Sequence, residues 1–198
     1  MDYQKLDNDS ISKQPKEGNN SNIKILSNIR KSTKEGSQDK IKLLIRGLGD
    51  KNGLARRSYA EELGNIGKAA LPALINALLN SKNVIKRRAA AKTLKLVGDS
   101  NAIPHLIKAL TCDSDPVVQC SAAGAIAIFG EDAVNHLIIV LKNQNYTEMQ
   151  HGLAAWALAF IGANAPIAIK KAAKSKNTKV KSAAISALEE YIRNSQDK

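Results

Sequence analysis

Seven residues of this chain could together hold a flat, negatively charged molecule: Arg57, Arg88, Lys92, Cys120, Gly124, Gly152 and Trp156. Arginine and lysine pair with carboxylates, arginine through a planar fork. Glycines leave room in a helix wall, and an indole offers a flat apolar face. A planar, conjugated dicarboxylate would suit that combination. Cys120 adds a thiol that becomes nucleophilic if Arg88 and Lys92 lower its pKa. Each feature also has a plain structural reading. Cys120 lies in an alanine-rich stretch and equally reads as a small packing residue. Gly124 and Gly152 equally read as points of close helix approach, and Trp156 as the cover of a groove edge.

Other chemistry finds little support. His105, His136 and His151 are the only histidines, and no pair has the i, i+4 spacing of a helical metal site, so no metal is expected. His105 and His136 hold equivalent places in successive repeats and read as solvent-facing. Cys112 and Cys120 form neither a CxxC pair nor a disulfide framework. There is no phosphate-binding glycine loop after a strand, no nucleophile elbow and no carboxylate pair set for acid–base work. Catalysis by such a chain would consist mostly of holding and orienting a reactive partner.

The elements that must position these residues follow from a repeat. Gly67, Gly98, Gly130 and Gly162 are spaced 31, 32 and 32 residues apart. Each closes an apolar helical face: Ala60, Leu63 and Ile66; Ala91, Leu94 and Val97; Ala123, Ile126 and Phe129; Ala155, Leu158 and Ile161. Glycine suits a helix end because it takes the left-handed conformation without a Cβ clash. A second helix recurs per unit, with Leu74, Ile75 and Leu78 matched by Leu106, Ile107 and Leu110, then Leu137, Ile138 and Leu141. Pro72 and Pro104 fall where those helices would begin. A final unit, about 165–192, lacks the glycine.

Periods of this size predict an all-α fold, a right-handed α-solenoid of about five HEAT-like helical hairpins that curves as an armadillo-like superhelix. The glycine-ended helix is taken as the second of each pair and as the lining of the inner wall. Ten and six residues before the glycines stand Arg57 and Glu61, Arg88 and Lys92, Cys120 and Gly124, Gly152 and Trp156. One residue earlier than the first of each pair come Arg56, Arg87, Gln119 and His151. Those are expected to form a ladder onto loop carboxylates such as Asp99 and Glu131.

The chain has 198 residues, 43% hydrophobic and only 4% aromatic, with a formal net charge of +12. Residues 1–39 hold a net of +1 and read as a mostly disordered tail, with a short helix at 22–31; residues 40–198 form the solenoid. Between Asp99 and Gly162 the only lysines or arginines are Lys108 and Lys142, so the basic excess sits at two ends. An acidic partner is implied. A continuous phosphate-tracking groove is not, which argues against nucleic acid. No apolar run of membrane-spanning length and no signal-peptide core occur, so a cytoplasmic protein is expected.

Arg56-Arg57-Ser58-Tyr59-Ala60-Glu61-Glu62-Leu63-Gly64-Asn65-Ile66-Gly67 and Arg87-Arg88-Ala89-Ala90-Ala91-Lys92-Thr93-Leu94-Lys95-Leu96-Val97-Gly98 carry a further signal. They resemble the PBS-lyase HEAT-like repeat of the E/F-type phycobilin lyases, most of all the small phycoerythrin-associated subunits. Gln119 and His151 depart from the pattern, replacing its arginine. The resemblance implies a lyase subunit or chaperone-like factor that helps attach a linear tetrapyrrole, phycoerythrobilin, to a cysteine of an apo-phycobiliprotein such as phycoerythrin. The bilin would be substrate rather than resident cofactor, and a second HEAT-repeat subunit would take part. Its two propionates would pair with Arg57, Arg88 and Lys92. The same repeats fit a chromophore-detaching or phycobilisome-degradation protein, or an adaptor that binds protein without pigment.

Overall fold

The computed structural model describes residues 37–163, 166–170 and 172–196. The helix expected at 22–31, with nearly all of the 1–39 tail, lies outside them. Five hairpins follow one another. α1 (Ser37–Gly47) pairs with α2 (Gly53–Ile66), α3 (Leu71–Asn80) with α4 (Val84–Val97), and α5 (Ile103–Cys112) with α6 (Pro116–Ile126). Then α7 (Glu131–Lys142) pairs with α8 (Glu148–Gly162), and α9 (Pro166–Lys170) with α10 (Thr178–Gln196). The first described helix starts at Ser37. No strand occurs among the described residues.

Local chemistry sets each boundary. Pro72 and Pro104 occupy the first turn of α3 and α5, where no N–H is required. The second helices start on capping side chains: Asn52 accepts from the Leu54 and Ala55 amides, Asn83 from Lys86, Asp115 from Val117 and Val118, and Thr147 from Gln150. At the other end Gly67, Gly98 and Gly130 take positive φ, a conformation that a side chain would strain. Gly162 departs from that expectation. It stays helical, and a Cβ there would come within 2.5 Å of Ala187 on α10. Its job is close packing.

The two layers differ in side-chain size. First helices bury Leu74 and Leu78, Leu106 and Leu110, Leu137 and Leu141. Second helices bury alanines: Ala90 and Ala91, Ala122 and Ala123, Ala154 and Ala157, Ala184 and Ala187. Small residues let α2, α4, α6, α8 and α10 approach closely, and they touch their neighbours far more than the first helices do. A stack that is tighter on one side must curve toward it. The second helices therefore line the inner wall.

The turns of the first four hairpins are each held by one side chain from the following helix. Arg56 Nη1 donates to the Asp50 carbonyl at 2.6 Å, and Arg87 Nη1 to that of Ser81 at 3.0 Å. Gln119 Nε2 donates to the Asp113 carbonyl at 2.7 Å, and His151 Nε2 meets the Asn143 carbonyl at 2.9 Å. The ladder expected from the sequence exists, with different partners. Asp99 instead caps the turn before α5 by accepting from the Asn101 amide, and Glu131 is an exposed residue of the first turn of α7. Among the described residues, the carboxylate that a ladder arginine engages is Asp113, which takes Arg87 at 2.7 and 2.9 Å in a fork between mostly buried side chains.

Removing one partner of such a buried pair strands the other charge, at a cost of about 3 kcal/mol. Asp113→Ala should therefore lower unfolding stability by about that much in urea titration. Lys68→Ala, which cuts an exposed contact of 3.9 Å to Asp99, should change it by less than about 0.5 kcal/mol.

Candidate functional site

Among the described residues, two hollows open on the inner wall. The first lies between α2 and α4, holds about 640 Å³, and is lined by Arg57, Glu61, Arg88, Lys92 and Lys95 with Ala60, Ala89 and Leu96. The second lies between α8 and α10, holds about 600 Å³, and is lined by Gly152, Ala155, Trp156, Ala159, Lys179, Ser182 and Ser186. Helix α6 stands between them. The seven residues marked by the sequence thus share a wall without sharing a cavity. Arg57, Arg88 and Lys92 come together, and Gly152 and Trp156 come together. Cys120 and Gly124, on α6, line neither hollow.

Spacing along the stack explains the split. Positions ten and six residues before the glycine recur once per repeat, and neighbouring helices pack roughly 8–10 Å apart. From α4 to α8 is two such steps. The α4 cations therefore line a different hollow from the one that holds Trp156.

Several plain readings are settled by burial. Cys120 is exposed, so it is not a core packing residue. A Cβ on Gly124 or Gly152 would meet nothing within 4 Å, whereas one on Gly64 would sit 3.0 Å from the Leu96 side chain. Gly124 and Gly152 open space; Gly64 and Gly162 close it. Of the four second-helix pairs, α6 and α8 make the sparsest contact. Trp156 is 51% exposed and packs at a tilt on Phe160, with ring centroids 6.0 Å apart. His105 and His136 are half-buried on first helices rather than fully solvent-facing.

Three polar groups at the second hollow were not foreseen together. Lys179 Nζ donates to Glu148 Oε1 at 2.8 Å and lies 2.9 Å from His151 Nδ1. The Asn143 carbonyl can only accept, so the buried imidazole places its N–H on Nε2 and accepts a hydrogen bond from the Lys179 ammonium at Nδ1. Hydrogen bonding to Lys179, reinforced by that ammonium's charge, holds the Glu148 carboxyl below its ordinary value. Lys179 ties α10 to α8 across the mouth of the hollow. It is also the one lysine or arginine that lines this hollow with the indole. Phe160 was legible as an i+4 neighbour of Trp156; Lys179 was not, because the last repeat lacks the glycine that numbers the others.

Two measurements follow. Gly152→Ala should raise stability by about 0.5–1 kcal/mol, the ordinary helix gain. Gly162→Ala should cost about 1–3 kcal/mol through overpacking on Ala187. Equal effects in thermal unfolding would contradict the packing assigned to them. Glu148 has its folded-state pKa below the unfolded value, so its contribution is complete above the ordinary carboxylate range and is lost as pH falls through the lowered value. Trp156 fluorescence should report that loss on acidification, and Glu148→Gln should abolish the transition.

Comparison with known proteins puts this geometry in context. A family model of HEAT repeats matches residues 71–159. The bilin biosynthesis protein MpeU of Synechococcus sp. (strain WH8020) is 45% identical over 160 residues, which are 81% of this chain and 54% of that protein. Uncharacterized phycocyanin operon protein Z of Pseudanabaena tenuis (strain PCC 7409) is 33% identical over 102 residues, 48% of this chain and 50% of its own length. The chain spans about half the length of these curated relatives. Among solved structures, a chain from the complex of CpcE and CpcF of phycocyanin lyase from Nostoc sp. PCC7120 superposes with a TM-score of 0.53. That match is 22% identical and covers 76% of this chain and 99% of the other, and it speaks for the fold alone. No helix among the described residues is long and apolar enough to cross a membrane. Glycine-spaced hairpins, a side-chain clamp at the head of the second helices and these relatives agree: the chain is a HEAT-repeat protein, similar over most of its length to a bilin biosynthesis protein.

Proposed function

We propose that this chain is a cytoplasmic bilin lyase subunit, or chaperone-like factor, that holds a linear tetrapyrrole while it is joined to a cysteine of an apo-phycobiliprotein. The observation that carries this reading is the hollow between α8 and α10, walled by Trp156 and opened by Gly152. A flat conjugated pigment would lie against the indole. Lys179 stands in reach of a propionate, at the modest cost of sharing Glu148. The 45% identity to a protein named for bilin biosynthesis supports the same ligand class.

Glu148, His151 and Lys179 already satisfy one another, so the hollow offers shape, a flat wall and one cation. Its contribution to thioether formation is orientation of the pigment toward the incoming thiol. Phycoerythrobilin and a phycoerythrin subunit are the proposed substrate and acceptor. A second HEAT-repeat chain is the proposed partner, in keeping with a solved complex that holds two lyase chains, CpcE and CpcF.

Titration of the purified chain with phycoerythrobilin should quench Trp156 emission and shift the pigment's absorption. Trp156→Ala should weaken that binding about tenfold, the loss of one good aromatic contact of roughly 1.4 kcal/mol, and leave circular dichroism unchanged. Undiminished pigment binding by Trp156→Ala would sink the assignment.

A further inference from the structure

We infer that the hollow between α2 and α4 is a separate docking site for an acidic, partly apolar polypeptide segment of a protein partner. It rests on the proposed pigment site only in leaving the other hollow to the pigment. Arg57 is committed to Glu61 at 2.8 Å, and Arg56 to the carbonyls of Asp50 and Lys51. Arg88, Lys92 and Lys95 have no partner among the described residues, and they stand one turn apart along a single helix. The Arg88 Nε atom is buried with nothing accepting its hydrogen. Buried donors are nearly always bonded, and the Arg88 side chain lines a hollow whose only carboxylate, Glu61, is already engaged.

Charge states what the occupant carries; the rims state what kind of molecule it is. Leu54 and Ile85 are exposed on one side of the cations, and Leu96 on the other. A small anion would leave those three uncovered. A peptide segment with carboxylates at its centre and apolar side chains beside them would cover both. Nucleic acid fits less well. The cations stop at α4, since the matching places on α6 are Cys120, Gly124 and Ala127, while a phosphate backbone needs positive charge along its whole track. The apolar rims do continue, through Val117 and Ile128 to Met149 and Phe160, all exposed.

A fluorescein-labelled twelve-residue peptide of alternating glutamate pairs and leucines serves as the probe, read by anisotropy with the full chain at low and high salt. Binding should weaken at least tenfold in Arg88→Glu/Lys92→Glu, and as much in Lys92→Glu/Lys95→Glu, whose sites are exposed and leave folding intact. Trp156→Ala should bind the peptide within about twofold of the unchanged chain, while both charge-reversed variants keep the pigment-induced quenching. Absence of peptide binding, or peptide binding indifferent to charge reversal, overturns the inference. So does a single-stranded oligonucleotide that binds more tightly than the peptide. Loss of quenching in all chains would overturn the pigment reading alone.

Discussion

The close approach of the second helices is the constraint on which the rest depends. Alanines at their buried positions bring α2, α4, α6, α8 and α10 together on one side of the stack. That spacing curves the array and turns one face of each second helix inward. The face has few side chains of its own to bury, because the core is completed by leucines from the first helices. Its residues are thus free to vary from repeat to repeat without unfolding anything. Stability and recognition are written on different faces of the same helix.

Position along the wall is held by the turns. One donor per repeat, from Arg56 to His151, reaches back to a loop carbonyl and fixes where its helix starts. An arginine, a glutamine and a histidine can each do this, because a carbonyl asks only for an N–H. Arg87 goes further, forking onto Asp113, and ties the second hairpin to the turn of the third. His151 ends differently. Its remaining nitrogen accepts from Lys179, so the clamp of the fourth repeat is coupled to the helix that closes the hollow.

Much of the fold could be read from glycine spacing and leucine pairs, since both report a period that every repeat must obey. What could not be read were exceptions to the period. Gly162 keeps the spacing yet stays helical, because Ala187 needs the room; that contact joins residues of different repeats and leaves no local trace. The seven candidate residues were placed on one wall by counting back from the glycines, and they do lie on it. Counting gives no distance across the stack, which is why one cradle was expected where two hollows stand. The Asn52, Asn83, Asp115 and Thr147 caps repeat as faithfully as the glycines and were a signal left unused. Lys179 had no such marker.

Two hollows on one wall give the proposed roles a physical logic. In a linear array each repeat touches only its neighbours, so ligands two repeats apart bind nearly independently. Neither has to distort the protein to make room for the other. Holding both on one rigid surface still raises the concentration of each seen by the other, to roughly the millimolar range for a short tether. An acidic partner anchored at α2 and α4 would bring its thiol near a pigment lying on Trp156, without any catalytic group from this chain. Under that arrangement the two helix spacings from α4 across α6 to α8 set the reach between anchor and pigment. The unlined middle of the wall is then the path along which the two reactants meet.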